Sequence, residues 1–174
     1  MATNVTVRPA AEEDVDGIQA MARAAWHETY DDLLGRETVD EFLAEGYDAD
    51  VLRALVEREE VGLFVAADDG TVVGCATCGK VDPAGVGDMD LYAHPDYWGT
   101  GVGERLLERG LDFLAERGVQ RVRDEVLADN EVGNAFYRKH FERVGDRETE
   151  LGGEARRVNV YEREVDAARA TGGE

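Results

Sequence analysis

The spacing of apolar residues along the chain predicts short strands alternating with amphipathic helices. Val5 to Arg8 alternates like a strand, and a helix follows because apolar residues recur on one helical face, at Val15, Ile18, Met21 and Ala25. A second helical pattern covers Val39 to Glu59 and contains Gly46, which favours a break. The N-terminal third of the chain is therefore predicted as one strand followed by helices.

A β-hairpin comes next, because Asp69-Gly70 supplies the positive φ angles of a tight turn between Gly62–Ala67 and Thr71–Val81. The remaining predicted elements are a strand at Met89–Ala93, a helix at Gly103–Arg117, a strand at Val119–Leu127, a helix at Glu131–His140 and a strand at Arg157–Val165. The order βααβββαβαβ predicts an α+β fold, a mixed sheet flanked by helices in one domain of residues 1–165. Residues 166–174 are expected to fray.

Charge excludes one class of partner, because 39 acidic residues against 19 lysines and arginines give a net charge of -20. Such a chain repels nucleic acid. Lys80 and Lys139 are the only lysines, a composition typical of proteins from halophiles, with an ordinary acidic mesophilic protein as the alternative. No apolar run approaches the roughly 20 residues of a membrane span, and no signal peptide is evident. We therefore expect a cytoplasmic protein without membrane contact.

Cys75 and Cys78 form a C-x-x-C motif, which elsewhere marks a redox pair or half of a metal site. In a strand, however, a separation of three residues places the two side chains on opposite faces. No second cysteine pair and no suitably spaced histidine completes a zinc site. Both residues are predicted to be buried structural thiols, and no metal is expected.

The segment from Leu91 to Gly103, followed at once by a helix, predicts an anion site. Glycines let the backbone approach a phosphate, and the unpaired N–H groups of a helix's first turn point towards it. A P-loop would require Gly-Lys-Ser/Thr, whereas Glu104 and Arg105 follow Gly103. A dinucleotide-binding G-x-G-x-x-G would require glycine in place of Glu104, although Asp124 lies near the position of a ribose-binding carboxylate.

This segment resembles the signature of the GNAT superfamily of N-acetyltransferases, Gln/Arg-x-x-Gly-x-Gly/Ala after a strand that commonly ends in Val-x-Pro. Gly101 and Gly103 fill the two small positions, His94-Pro95 fills the strand exit, and Trp98 stands where Gln or Arg is usual. The resemblance implies acetyl-CoA as cofactor and a mostly antiparallel GNAT-like sheet. It also implies cofactor binding by Leu91, Tyr92, Ala93, Trp98, Gly99, Thr100, Gly101, Val102, Gly103 and Glu104.

A second motif, from Asn130 to Tyr137, resembles the family's Asn-x-x-Ala-x-x-Phe-Tyr, with Gly133 in place of alanine as a harmless change. The resemblance implies that Asn130 contacts the pantetheine arm and that Tyr137 points at the thioester sulfur. Asn134 is counted with the cofactor-binding residues. The family usually has Gly-Phe after this helix, whereas here Phe141 follows His140 directly and the glycine is missing.

The resemblance further implies direct attack of a primary amine on the thioester, with a free N–H on Leu91–Ala93 bonding the carbonyl and Tyr137 protonating the thiolate. Asp90 and Asp88 share a strand face with Tyr92 and are the first candidates for the general base. Glu28, Glu125 and a water relay are the alternatives.

The segment Ala25–Tyr30 resembles part of the acceptor cleft in one subgroup, which makes Trp26, His27, Glu28 and Tyr30 the predicted substrate-binding residues. The acceptor is expected to be the amine of a small molecule or of a peptide or protein. A homodimer is common in the family. The alternative function is a catalytically idle acyl-CoA-binding or regulatory module.

Overall fold

The computed structural model describes residues 4–79 and 82–170, which build a single sheet covered by helices. The strands are β1 (Val5–Pro9), β2 (Gly62–Asp68), β3 (Thr71–Gly79), β4 (Val86–Ala93), β5 (Arg121–Leu127), β6 (Glu142–Leu151) and β7 (Glu154–Glu164). They lie in the order β1-β2-β3-β4-β5-β7-β6, and all neighbouring pairs are antiparallel except β4 and β5. The predicted mixed, mostly antiparallel sheet is confirmed.

Helices cover both faces of this sheet: α1 (Val15–Leu34), α2 (Arg36–Gly46), α3 (Ala49–Glu57), α4 (Val102–Glu116) and α5 (Glu131–His140). On one face, α1 to α3 bury Ile18, Val39 and Leu52. On the other face, α4 and α5 bury Leu106 and Tyr137. Successive residues of a strand point to opposite faces, so β2 and β3 contribute to both hydrophobic clusters and are buried along most of their length.

The predicted hairpin is confirmed, with β2 and β3 joined by Asp69 and Gly70 at φ angles of 48° and 86°. Its predicted end at Lys80 and Val81 lies outside the described residues. The predicted helix over Val39–Glu59 is two helices, because α2 ends at Gly46 and the side chain of Asp48 caps α3, accepting from the Asp50 N–H at 3.0 Å.

The predicted order lacked β6, which forms an edge of the sheet beside β7. Its sequence, ERVGDRETEL, does not alternate, because most of its side chains on both faces are exposed. Gly152 and Gly153, both at positive φ, make the turn into β7, which starts three residues earlier than predicted. The family's glycine before Phe141 is not needed, because Phe141 leaves α5 in an extended conformation and donates its N–H to the Tyr137 carbonyl at 2.7 Å.

A gap between β4 and β5 is the feature of the fold that creates the site. Their parallel pairing runs from Val86 opposite Arg121 to Asp88 opposite Arg123. Further on, β4 continues alongside β3 and β5 alongside β7, so that the strands diverge. The backbone of Leu91–Ala93 therefore borders an opening, as expected for a strand that offers an unpaired N–H.

Both cysteines are buried, and they lie in the two different hydrophobic clusters, which confirms the prediction of opposite faces. Burial raises the pKa of Cys75 and of Cys78 to about 12. A thiol that stays protonated at neutral pH is neither a nucleophile nor a metal ligand. Within residues 4–79 and 82–170 no group of three or more His, Cys, Asp or Glu could hold a metal ion.

The tail that was expected to fray forms a short 3-10 helix over Ala167–Ala170. Arg169 pairs there with Glu108 at 2.7 Å and Asp112 at 3.1 Å, which holds the segment against α4. Residues 171–174 lie outside the described part. None of the helices that the structure describes is long and apolar enough to span a bilayer.

Candidate active site

The loop between β4 and α4 presents backbone N–H groups at the mouth of a cleft. Gly99 and Gly101 have φ angles of 76° and 92°, conformations that glycine adopts without strain. Gly101 is the N-cap of α4, so the N–H groups of the first turn, including that of Gly103, have no partner within the helix. A Cβ on Gly103 would lie 3.1 Å from the Phe136 ring, so α4 and α5 approach closely here. The arrangement is an anion cradle made of main chain.

Trp98, which stands where the family usually has Gln or Arg, makes a structural contact within the protein. Its indole Nε1 donates to the Ala93 carbonyl oxygen at 3.0 Å, which ties the loop to the end of β4. The Tyr97 hydroxyl donates to Asp68 at 2.5 Å, and the Thr100 hydroxyl donates to the Tyr97 carbonyl at 2.5 Å. These contacts hold the loop against β2 and β4.

Glu104 places a negative charge in the first turn of α4, where the anion would bind. Lys139 on α5 compensates for it, because its Nζ lies 3.0 Å from Glu104 Oε1, and His140 Nε2 lies 3.5 Å from the same oxygen. The hydrogen bond from Lys139 lowers the pKa of Glu104. The cradle thus carries a balanced ion pair at its edge.

A cavity of about 420 Å³ extends from this loop to the gap between β4 and β5, a size that suits a small-molecule ligand. Most predicted cofactor-binding residues line it, namely Leu91, Tyr92, Ala93, Trp98, Gly99, Gly101, Gly103, Glu104, Asn130 and Tyr137. Thr100, Val102 and Asn134 do not line it as the structure describes it. Val102 is instead part of the core, at 1% exposure.

The two asparagines of the second motif have different surroundings. Asn130 caps α5 by accepting from the Gly133 N–H at 2.9 Å, and its amide donates to the Tyr30 hydroxyl at 3.2 Å. Asn134 is 2% exposed, and its amide group bonds carbonyls of the β5–α5 connection and the side chains of Asn159 and Tyr161. Asn134 therefore fastens α5 to the sheet.

Gly133, in place of the family's alanine, packs closely against the Asn130 side chain. A Cβ built there would lie 2.6 Å from Asn130 Nδ2 and 3.0 Å from Val126 Cγ1. Both distances are shorter than ordinary van der Waals contacts. The glycine leaves the space in which the Asn130 amide reaches Tyr30.

Tyr137 and Asp124 form a buried pair at the gap. Tyr137 is 5% exposed, and its hydroxyl hydrogen-bonds the Asp124 carboxyl on β5. Burial raises the pKa of Tyr137 well above that of a free tyrosine. Burial and the charge of Asp90 also raise the pKa of Asp124 well above its usual range. The tyrosine hydroxyl therefore keeps its proton at neutral pH.

Asp90, predicted as a general base, faces the cleft from β4. Asp90 is exposed on β4, and neighbouring protein atoms only partly desolvate its carboxyl. Burial and the Asp88 charge raise the pKa of Asp90 to about 6, close to the range of a general base at neutral pH. Asp88 is exposed, two residues earlier on the same face, and does not line the cleft.

Glu125, an alternative base, also lines the cleft. It follows Asp124 directly on β5, so its side chain leaves the opposite face of the strand. Arg147 on β6 holds both of its oxygens, with Nε at 2.7 Å and Nη2 at 2.5 Å. This hydrogen bonding lowers the pKa of Glu125. A carboxylate so well paired is a poor proton acceptor, which favours Asp90.

Of the four predicted substrate-binding residues, only Tyr30 lines the cleft. Trp26 supports it from behind, with its ring centroid 4.9 Å from that of Tyr30 and 5.3 Å from that of Tyr92. His27 instead joins α1 to α2, since its two ring nitrogens lie 2.6 Å from Asp31 and 2.9 Å from Asp40. Glu28 is exposed and does not line the cleft.

Comparison with known proteins identifies the family. Residues 21–141 match the model of the Acetyltransferase (GNAT) family. The chain belongs to this family. It is 25% identical over 147 residues to the spermidine N(1)-acetyltransferase of Thermoplasma acidophilum, covering 82% of this chain and 91% of that protein. It is 28% identical over 107 residues to N-alpha-acetyltransferase 30 of Schizosaccharomyces pombe, covering 59% and 71%.

Solved structures share the fold of this GNAT protein. The crystal structure of PaiA N-acetyltransferase from Thermoplasma acidophilum in complex with coenzyme A superimposes with a TM-score of 0.80. The two chains are 22% identical, and the match covers 92% of this chain and 98% of the other. At this identity the likeness establishes the shared fold.

Two charged residues of the GNAT cleft were given no role in it by the sequence analysis. Asp124 was considered only as a ribose-binding carboxylate, whereas the structure places it against Tyr137. Lys139 was noted only as one of two lysines, although it lines the cleft beside the anion cradle. A rare cation two positions after the motif's tyrosine was the available signal for Lys139. No sequence signal marked Asp124.

Proposed function

We propose that this protein transfers an acetyl group from acetyl-CoA to the primary amine of a small cationic molecule by direct attack in a ternary complex. The observation that carries the proposal is the continuous cleft, which joins the main-chain anion cradle of α4 to the gap between β4 and β5, where Asp90 and Tyr137 both line it. One end suits a diphosphate, and the other offers a proton acceptor and a proton donor.

The residues present fit acetyl-CoA. The first turn of α4 offers N–H groups to a diphosphate, and the glycines at positions 99, 101 and 103 keep side chains out of its way. Trp98 and Phe136 provide apolar walls for the pantetheine arm. When bound, acetyl-CoA supplies an acyl group activated as a thioester. The gap beside Leu91–Ala93 offers backbone donors for its carbonyl oxygen.

The chain's own groups then handle the two protons of the reaction. Asp90, ionised above pH 6, accepts a proton from the amine nitrogen as the new C–N bond forms. Tyr137 keeps its hydroxyl proton at neutral pH and donates it to the departing sulfur. The cysteines take no part, because both are buried and protonated.

The acceptor end favours a cationic aliphatic amine. Asp90 contributes a carboxylate, and Tyr30 and Tyr92 contribute aromatic rings that bind alkylammonium groups. The protein's net charge of -20 also attracts cations at low salt. The relative from Thermoplasma acidophilum is named for its action on spermidine, which supports a polyamine as the acceptor class.

Two measurements test the proposal. Calorimetry with acetyl-CoA, at low and at high salt, should show binding, and CoA release should follow addition of spermidine but not of an aliphatic monoamine of similar length. A peptide N-terminus as the preferred acceptor would contradict the polyamine class. Tight binding without turnover on any amine would support the idle acyl-CoA-binding module instead, and absence of binding by folded protein would end the assignment.

A further inference from the structure

The hydrogen bond between Tyr137 and Asp124 conflicts with the role proposed for Tyr137. A tyrosine hydroxyl has one proton to donate. In the structure this proton is directed to the Asp124 carboxyl oxygen. While Asp124 is ionised and accepts it, the hydroxyl has no proton to offer to a sulfur atom in the cleft. Something must release Tyr137 before it can act.

The surroundings of Asp124 disfavour its ionised form, because burial and the charge of Asp90 raise the pKa of its carboxyl. The titratable groups that face it are Asp88 and Asp90 from β4, Tyr30 from α1, Tyr137 from α5 and Tyr161 opposite on β7. Arg123 on β5 pairs with Glu162, and Arg147 on β6 pairs with Glu125. Arg123 and Glu125, the β5 residues of these two pairs, flank Asp124 in the strand, so their side chains lie on its opposite face.

We propose that Asp124 is a positioning residue for Tyr137: in its protonated form it donates to the tyrosine oxygen and so turns the hydroxyl proton of Tyr137 towards the cleft. The inference rests on the proposed acetyl transfer. It adds a condition, namely that the active protein carries the proton on Asp124. A neutral carboxyl in an apolar site is a hydrogen-bond donor, which an ionised one is not.

The proton balance closes within the cleft. As the C–S bond breaks, its electron pair goes to sulfur, which takes the Tyr137 proton, while the hydrogen bond donated by Asp124 stabilises the Tyr137 oxygen. The amine nitrogen, on forming the C–N bond, loses a proton to Asp90. One proton has then moved from Tyr137 to Asp90, and both residues line the cleft, where water can return them to their starting states.

The pH dependence of turnover distinguishes Asp90 from Asp124, because the first must be ionised and the second protonated. Asp90 must be ionised, so turnover rises as the pH passes about 6. Asp124 must be protonated, and burial together with the Asp90 charge raises the pKa of Asp124 above its usual range. Turnover should therefore fall again at higher pH, when Asp124 ionises and recaptures the Tyr137 proton.

Asp124→Asn and Asp124→Leu test the inference, with Asp16→Asn, an exposed carboxylate on α1 outside the cleft, as the matched control. The amide side chain introduced by Asp124→Asn would donate permanently to Tyr137, so kcat should stay within about threefold of wild type and lose its decline at high pH. The leucine variant should lose about 100-fold in kcat with little change in the KM for acetyl-CoA. An unchanged high-pH decline in Asp124→Asn, or wild-type kcat in Asp124→Leu, would overturn the inference.

A second measurement needs no turnover. The Cζ carbon of Tyr137, one of six tyrosines, reports its hydrogen bonding by NMR in ¹³C-tyrosine-labelled protein, with the signal assigned through Tyr137→Phe. It should shift in a step as Asp124 titrates, and the step should vanish in Asp124→Asn but not in Asp16→Asn. A Tyr137 signal without such a step would contradict the inference. A step that vanishes as expected, in a protein that acetylates no amine, would support the pair and reject the proposed function.

Discussion

The two ends of the cleft are built by different means. The cofactor end relies on main chain, namely the α4 N-terminus and glycines such as Gly99 and Gly101, so its geometry follows from backbone conformation. The acceptor end relies on side chains from separate elements, including Tyr30 on α1 and Asp90 on β4. A main-chain site can therefore be predicted from local sequence spacing, whereas a side-chain site depends on how distant elements pack.

The acceptor end gives the largest expected effect. Replacing Asp90 with asparagine removes the proton acceptor, and kcat should fall by about 100-fold or more. The rise in activity near pH 6 should disappear with it, because that rise reflects ionisation of Asp90, whose pKa is raised to about 6. Asp32→Asn on exposed α1 surface is the control and should keep the wild-type pH profile. Should the rise near pH 6 persist in Asp90→Asn, another carboxylate or a water relay accepts the proton.

At the cofactor end, Gly101→Val should weaken acetyl-CoA binding by about tenfold to 100-fold. A β-branched residue at a φ of 92° costs about 1–3 kcal/mol in strain, and relieving it reorients the first turn of α4. Calorimetry measures the loss directly. Gly46→Ala is the matched control, because that glycine has an ordinary φ and nothing within 4 Å of the added Cβ. Equal affinities in both variants would show that the α4 N-terminus does not hold the diphosphate.

The sequence predicted the main-chain features of the fold and site better than the positions of individual side chains. The elements with clear periodicity, such as α4 and α5, were predicted to within about a residue at each end, and so was the glycine loop. β6 was missed, because an exposed acidic edge strand has no hydrophobic pattern to detect. Trp26, His27 and Glu28 were assigned together by local resemblance, yet a helix turns successive side chains by about 100°, and only Tyr30 of the segment's four predicted residues faces the cleft.

Lys139 offers a smaller test of the cofactor end, one that involves side chains. Lys139→Gln removes the lysine charge that faces Glu104 beside the anion cradle, and the affinity for acetyl-CoA should fall by about two- to fivefold. The loss should shrink in 1 M salt, where the Debye length is about 3 Å. Adding Glu104→Gln should restore the affinity, while Arg138→Gln, an equal loss of charge on the exposed side of α5, should change little. A Lys139 effect that the Glu104 change does not rescue would mean that Lys139 contacts the cofactor directly.

The smallest expected effect is that of Gly133→Ala, in the segment of α5 that links the cofactor end of the cleft to the acceptor end. An alanine at this position gains about 1 kcal/mol of helix propensity. Its Cβ, at 2.6 Å from Asn130 Nδ2, would however displace the Asn130 side chain that caps α5, and losing that cap costs a similar free energy. The free energy of unfolding should therefore change by less than about 1 kcal/mol. The KM for the amine should nevertheless rise by about two- to threefold, because Asn130 no longer holds the Tyr30 hydroxyl that faces the acceptor. Thermal unfolding and amine kinetics separate the two effects. Tyr30→Phe removes the same hydrogen bond without steric change, so Gly133→Ala should add nothing to it in the double variant, and an additive rise would locate the effect elsewhere on α5.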